Sequence, residues 1–139
     1  MTKIYKESAF TGAQPVSPRR RRRGKKAYHS GLAAEEQIAR DYERRGFTVE
    51  RRRWRGQRGE IDLVIRDGAA LVFVEVKASS DFARAAESLG AAQMQRICGA
   101  AEEYLAGEPQ ELLTETRFDV ALVNGVGAVA ILENAFGQV

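Results

Sequence analysis

The stretch from residue 59 to residue 77 reads GEIDLVIRDGAALVFVEVK, two alternating apolar runs on either side of Asp67-Gly68-Ala69-Ala70. Period-two alternation around a short, glycine-bearing turn predicts an antiparallel hairpin of residues 59–66 with residues 71–77. Side chains alternate faces along a strand, so Ile61, Leu63 and Ile65 are expected on one face and Glu60, Asp62 and Val64 on the other. In the second strand Val72, Val74 and Val76 separate in the same way from Phe73, Glu75 and Lys77. A four-residue loop sets Arg66 opposite Leu71, Val64 opposite Phe73 and Asp62 opposite Glu75. Directly opposed carboxylates are unfavourable in a sheet unless a cation lies between them or the surroundings neutralise one. Lys77 lies two residues past Glu75 on the same face, ~6 to 7 Å along the strand, and reaches the same point. Hard oxygen donors beside an ammonium group are what Mg²⁺-assisted phosphoryl chemistry needs. Taken alone, a Glu-Val-Lys triplet also describes a half-solvated strand with a cross-strand salt bridge. The conjunction with Asp62 and with an acid further upstream favours a shared acidic site.

That acid is Glu35. Residues 30–45 carry apolar side chains at helical spacing, with Ser30 placed as the N-cap and Gly46 as the residue that stops the helix. At 100° per residue, Leu32, Ile38, Ala39 and Tyr42 fall within about 60° of one direction, and Glu35 lies at the centre of that stripe. Glu36, Arg40, Glu43 and Arg44 fall on the other faces, as a solvated surface requires. Residues 47–53 read as a first strand and residues 54–58 as a loop. Arg51, Arg52, Arg53, Arg55 and Arg58 surround Trp54 there. This basic patch reads either as a charged edge that resists sheet-to-sheet association or as a phosphate-contacting rim of the acidic site.

Toward the C-terminus, residues 78–87 are polar and irregular. A second helix is predicted over residues 90–106, burying Ile97, Ala100, Ala101 and Tyr104, with Gln93 on the same stripe and Gly107 and Pro109 ending it. Strands 117–123 and 126–132 follow around Asn124-Gly125. The expected order is αβββαββ, one α/β domain over residues 30–139.

The chain has 139 residues, is 44% hydrophobic and carries a net charge of +3, enough for one core of ordinary size. The charge is unevenly placed. Residues 1–30 hold nine Lys or Arg against Glu7 alone, a local +8, which leaves −5 on the other 109 residues. Residues 1–29 mix turn formers with like charges and are expected to form a disordered basic arm that contacts polyanions or serves only as a solubilising tail. Cys98 and His29 are single, so a disulfide within the chain and a zinc site built on Cys or His are excluded. An oxygen-held Mg²⁺ or Mn²⁺ is the metal the composition allows. No run approaches the ~20 apolar residues of a membrane span and no secretory leader is apparent, so a soluble, cytoplasmic protein is expected.

The segments Gly59-Glu60-Ile61-Asp62-Leu63-Val64, Val72-Phe73-Val74-Glu75-Val76-Lys77 and Arg117-Phe118-Asp119-Val120 resemble the signature segments of the YraN-like bacterial proteins. These belong to the PD-(D/E)XK, restriction-endonuclease-like superfamily, related in fold to Holliday-junction resolvases. The helix bearing Ala34-Glu35, closed by Gly46-Phe47, resembles that family's opening helix, and the likeness spans roughly residues 31–133. It implies a mixed central sheet flanked by helices. It also implies that Asp62 and Glu75 are metal ligands with the Val76 carbonyl as a third, that Lys77 is the catalytic lysine, and that Glu35 is an auxiliary acid. Three positions depart from the family pattern. Ala34 replaces a glycine, Ala78-Ser79 replaces a Thr-Arg pair, and Gln93 stands where a substrate-gripping lysine is usual.

The leading expectation is therefore a metal-dependent endonuclease acting on DNA, with branched or structured DNA suggested by analogy with the resolvases. A homodimer would suit a junction cutter. Two rivals stand beside it: a non-catalytic nucleic-acid-binding protein that keeps the fold, and an interaction module of a DNA-processing complex.

Overall fold

The computed structural model describes residues 3–8, 23–79, 81–87, 89–108 and 114–136. The elements are β1 (Lys3–Ser8), α1 (Arg23–Arg44), β2 (Thr48–Arg55), β3 (Glu60–Asp67), β4 (Ala70–Ala78), α2 (Phe82–Glu87), α3 (Ala91–Leu105), β5 (Thr116–Val123) and β6 (Val129–Glu133). The strands form one sheet in the order β1-β6-β5-β4-β3-β2. Only β4 and β5 are parallel, and the crossover between them carries α2 and α3. Strands β2 to β6 make a five-stranded mixed sheet with helices on both faces, the restriction-endonuclease-like arrangement.

Each face has its own core. Ala34, Ile38, Ala39 and Tyr42 of α1 pack with Leu63, Ile65, Val72, Val74, Ala121 and Ile131. Ala100 and Ala101 of α3 pack on the opposite side with Ile61, Val64, Leu71 and Phe73. The apolar stripe of α1 is thus buried as its spacing predicts, and Gly46, at φ 95°, makes the left-handed stop that ends the helix.

The structure departs from the sequence expectation at four places. Helix α1 begins at Arg23, so Ser30 lies inside it rather than capping it, and residues 3–8 pair with β6. The segment expected to be disordered therefore contains a strand and the start of a helix. Both fit local chemistry, since Gly24 to His29 includes no proline and a Lys-rich strand is tolerated at a sheet edge; residues 9–22 of that arm lie outside the described residues. Residues 78–87, expected to be irregular, contain α2, whose first amides at Ala83 and Arg84 are received by the Asp81 carboxylate at 2.9 and 3.3 Å. The element order is accordingly βαβββααββ. Strand β2 runs on through Trp54 and Arg55, beyond the loop start that the sequence predicts.

The fourth departure lies in the hairpin. Arg66 faces Leu71 and Val64 faces Phe73 as expected, but Asp67 pairs with Ala70, leaving a two-residue turn with Gly68 at φ 61°. Strict alternation also fails at Asp62. Ile61 joins Val64 in the α3-side core while Leu63 and Ile65 join the α1 side. The β3–β4 ladder stops at Leu63↔Val74, one step short of the expected Asp62↔Glu75 pair.

Candidate functional site

The place where β3 and β4 part is where the acids gather. Beyond Leu63↔Val74 the Val76 amide donates to the Asp62 carboxylate at 2.8 Å, so a side chain replaces the missing rung of the ladder. In an extended strand the N–H and C=O of one residue face the same neighbour, so the Val76 carbonyl heads toward the same side as this amide. With the strands no longer laced together, groups from both faces of the sheet reach one spot. Glu35 comes from α1, and its carboxyl lies close enough to Asp62 to feel its charge. Glu75 of β4 feels the same Asp62 charge. Gln93 of α3 donates to Glu75 Oε2 at 2.9 Å, and Lys77 Nζ lies 3.9 Å from that oxygen. Arg53 of β2 donates from Nε to Glu35 Oε1 at 2.7 Å.

Burial and mutual repulsion set the electrostatics. Glu75 is 7% exposed, and removal from water followed by the nearby Asp62 charge pushes its carboxyl up to about 8. The same causes push Glu35 up to about 7, with Arg53 pulling the other way. Asp62 is raised by burial, and the bonds it accepts from the Val76 amide, Glu75 and Glu35 oppose that rise. Asp62 is thus the acceptor at the centre, and its two neighbours favour the protonated form.

Among the described residues no group of three or more His, Cys, Asp or Glu side chains stands as a ready-made metal cage. The donor set nevertheless suits a hard divalent cation. It is all oxygen and largely withdrawn from water, and burial with mutual repulsion holds the Glu75 and Glu35 carboxyls well above the usual carboxylate range. A cation entering there would relieve the same crowding.

Comparison with known sequences bears on this arrangement. The family described as "Uncharacterised protein family UPF0102" matches residues 34–123, from the first buried turn of α1 to the end of β5. The chain belongs to UPF0102. It is 62% identical over 116 residues to a UPF0102 protein of Ruegeria pomeroyi, covering 84% of this chain and 94% of the relative. Over 113 residues it is 57% identical to a UPF0102 protein of Cereibacter sphaeroides, covering 81% and 97%. A UPF0102 protein of Roseobacter denitrificans is 55% identical over 115 residues, covering 83% and 89%. UPF0102 is the YraN-like group to which the signature segments point, within the PD-(D/E)XK superfamily. The matched region contains Glu35, Asp62, Glu75, Lys77 and Gln93 together.

The arginine patch of this UPF0102 chain is not one surface. Arg52 bonds Glu36 at 2.7 Å and Arg53 bonds Glu35, both on α1. Arg58 turns to the other side of the sheet, where it meets Glu102 of α3 at 2.7 Å. The Gln57 and Arg58 amides hold the Glu103 carboxylate at 2.9 and 2.8 Å. Arg55 is exposed and lies 3.5 Å from Glu60, and Arg51 stands beside the Tyr104 hydroxyl. The structure therefore brings Arg53 into the acidic cluster and leaves Arg51, Arg55 and Arg58 away from it. Gln93, which the sequence reading assigns to substrate contact, is bonded to Glu75 and steadies it.

Asp119 of the third signature segment lies outside the cluster. It is 1% exposed and accepts from the Tyr42 hydroxyl at 2.7 Å, from Arg117 at 2.9 and 3.1 Å, and from the Asn134 amide at 3.0 Å. It clasps α1 to β5 and to the turn after β6. Sequence reasoning had given it no contact. The available signal was Arg117 two residues before it on the same strand face, together with Tyr42 two turns beyond Glu35.

Proposed function

We propose that this chain is a divalent-metal-dependent endonuclease that hydrolyses phosphodiester bonds of DNA. The observation that carries the reading is the meeting of Glu35, Asp62 and Glu75, from three separate elements, at the end of a prematurely terminated ladder with Lys77 alongside. Buried like charges are costly to a fold, and an ion-binding role explains their retention.

Asp62 and Glu75, with the Val76 carbonyl, would hold Mg²⁺ or Mn²⁺. Bound there, such an ion supplies Lewis acidity toward phosphoryl oxygens. Gln93 fixes Oε2 of Glu75 and so sets the orientation of that carboxylate. Lys77, 3.9 Å from Glu75, would hold the attacking water and offset negative charge developing on the phosphoryl oxygens. Glu35, beside Asp62 and raised by burial to about 7, would exchange a proton with solvent at the site.

Purified protein should cleave DNA with Mg²⁺ or Mn²⁺ when linear duplex, single strands and four-way junctions are offered. Asp62→Asn and Glu75→Gln should each lower the rate by at least about a hundredfold. Titration calorimetry with Mn²⁺ should give a binding isotherm that Asp62→Asn abolishes. Cleavage that persists in both variants would reject the assignment. DNA binding without metal uptake would favour the non-catalytic, nucleic-acid-binding alternative.

A further inference from the structure

Consecutive residues of a strand project to opposite faces, yet Arg52 and Arg53 both reach α1, onto the consecutive acids Glu36 and Glu35. The alternation is broken by Arg53 itself, whose φ is 51°. Non-glycine residues rarely adopt that left-handed conformation, and it persists only where the surroundings enforce it. The flanking pairs Arg52↔Leu63 and Trp54↔Ile61 place Arg53 across from Asp62. The kink in β2 and the failed alternation in β3 thus lie side by side, and together they turn one guanidinium into the acid cluster.

An arginine is a poor choice for this backbone if only the backbone matters. Asparagine occupies the left-handed region far more readily. An ion pair with a part-exposed partner adds little stability of its own. The side chain is therefore the feature to explain. Arg53 is 32% exposed and Glu35 13%, so solvent reaches the guanidinium more easily than the carboxylate it holds. A guanidinium carries five donors in a planar fork that matches two oxygens of a phosphate as well as it matches a carboxylate.

We propose that Arg53 is a phosphate-binding residue of the site, held by Glu35 in the free protein and transferred to a backbone phosphate when nucleic acid enters. The inference rests on the preceding reading for the class of ligand, a nucleic-acid phosphodiester, and not for its cleavage. It separates Arg53 from its neighbours in sequence: Arg52 stays with Glu36 and Arg58 with Glu102, and neither takes part.

The test is a double-mutant cycle on the full chain, read by fluorescence anisotropy with a labelled short DNA duplex in EDTA at fixed ionic strength. Arg53→Asn, which suits the left-handed backbone, should weaken binding by about tenfold. Glu35→Gln should tighten it by about threefold by releasing the arginine. That gain should vanish in the Arg53→Asn background. An equal gain in both backgrounds, or unchanged binding by Arg53→Asn, would overturn the proposal. If Arg53→Asn does not fold, Arg53→Lys replaces it, with an intermediate loss expected and unchanged affinity counting against. Wild-type protein that binds no DNA in EDTA would remove this proposal alone, since the nuclease reading is decided by cleavage with Mg²⁺ or Mn²⁺. Coupling without metal-dependent cleavage would keep Arg53 and remove only hydrolysis, whereas cleavage with an additive cycle would remove only Arg53.

Discussion

Glu75 ties the local chemistry of the site to the stability of the chain. Its carboxyl is raised from 4.5 to about 8 in the fold, so the native state binds the proton more tightly than the unfolded chain. The stabilising contribution is complete below the unfolded value and is lost as pH rises through the folded one. Glu35, raised to about 7, acts in the same direction. In the absence of divalent ions, urea midpoints should fall between about pH 5 and about pH 9, and Glu75→Gln should remove most of that fall. A midpoint that rises over this range in wild type would mean that the acids are not crowded as described. Glu35, Glu75 and Lys77 were legible because strand alternation and the helical stripe are local properties, whereas Asp62 reaches Glu75 through a break in that alternation. The contacts of Arg53 and Gln93 were not legible. One depends on a left-handed residue that no local rule demands of arginine, and the other on how α3 docks against β4.

Among the elements, α1 is the one whose placement matters most, since it delivers Glu35 from one face of the sheet. Its grip on the sheet combines the Ile38, Ala39 and Tyr42 stripe with the Tyr42–Asp119–Arg117 clasp. Asp119→Ala should cost about 3 kcal/mol in a denaturation experiment, because it leaves Tyr42 and Arg117 with buried or half-buried donors unmet. A loss under about 1 kcal/mol would mean that water substitutes for the carboxylate. The hairpin register from Arg66 to Val64 was readable from the turn, as were the two helical stripes. The early end of the ladder was not readable, because an alternating sequence carries no mark of where two strands separate. The missed helix α2 is a six-residue element held by the Asp81 cap, too short to show a helical period.

For the molecule as a whole, the five arginines of residues 51–58 carry less free charge than their number suggests. Four of them are matched to acids of α1, β3 and α3. Long-range attraction for a polyanion then falls mainly to the basic segment near the N-terminus, since residues 31–139 sum to −5. Replacing Arg19 to Arg23 by glutamine in the full chain should weaken DNA binding and flatten the slope of log affinity against log salt by up to about four. An unchanged slope would assign that segment to solubility alone. No helix among the described residues is long and apolar enough to cross a membrane.

The three acids stand 27 and 13 positions apart in the chain, at residues 35, 62 and 75, with Gln93 further on. No fragment shorter than this span can assemble the cluster. On the ribosome the cluster is a late product, complete only after α3 has emerged and docked Gln93 against Glu75.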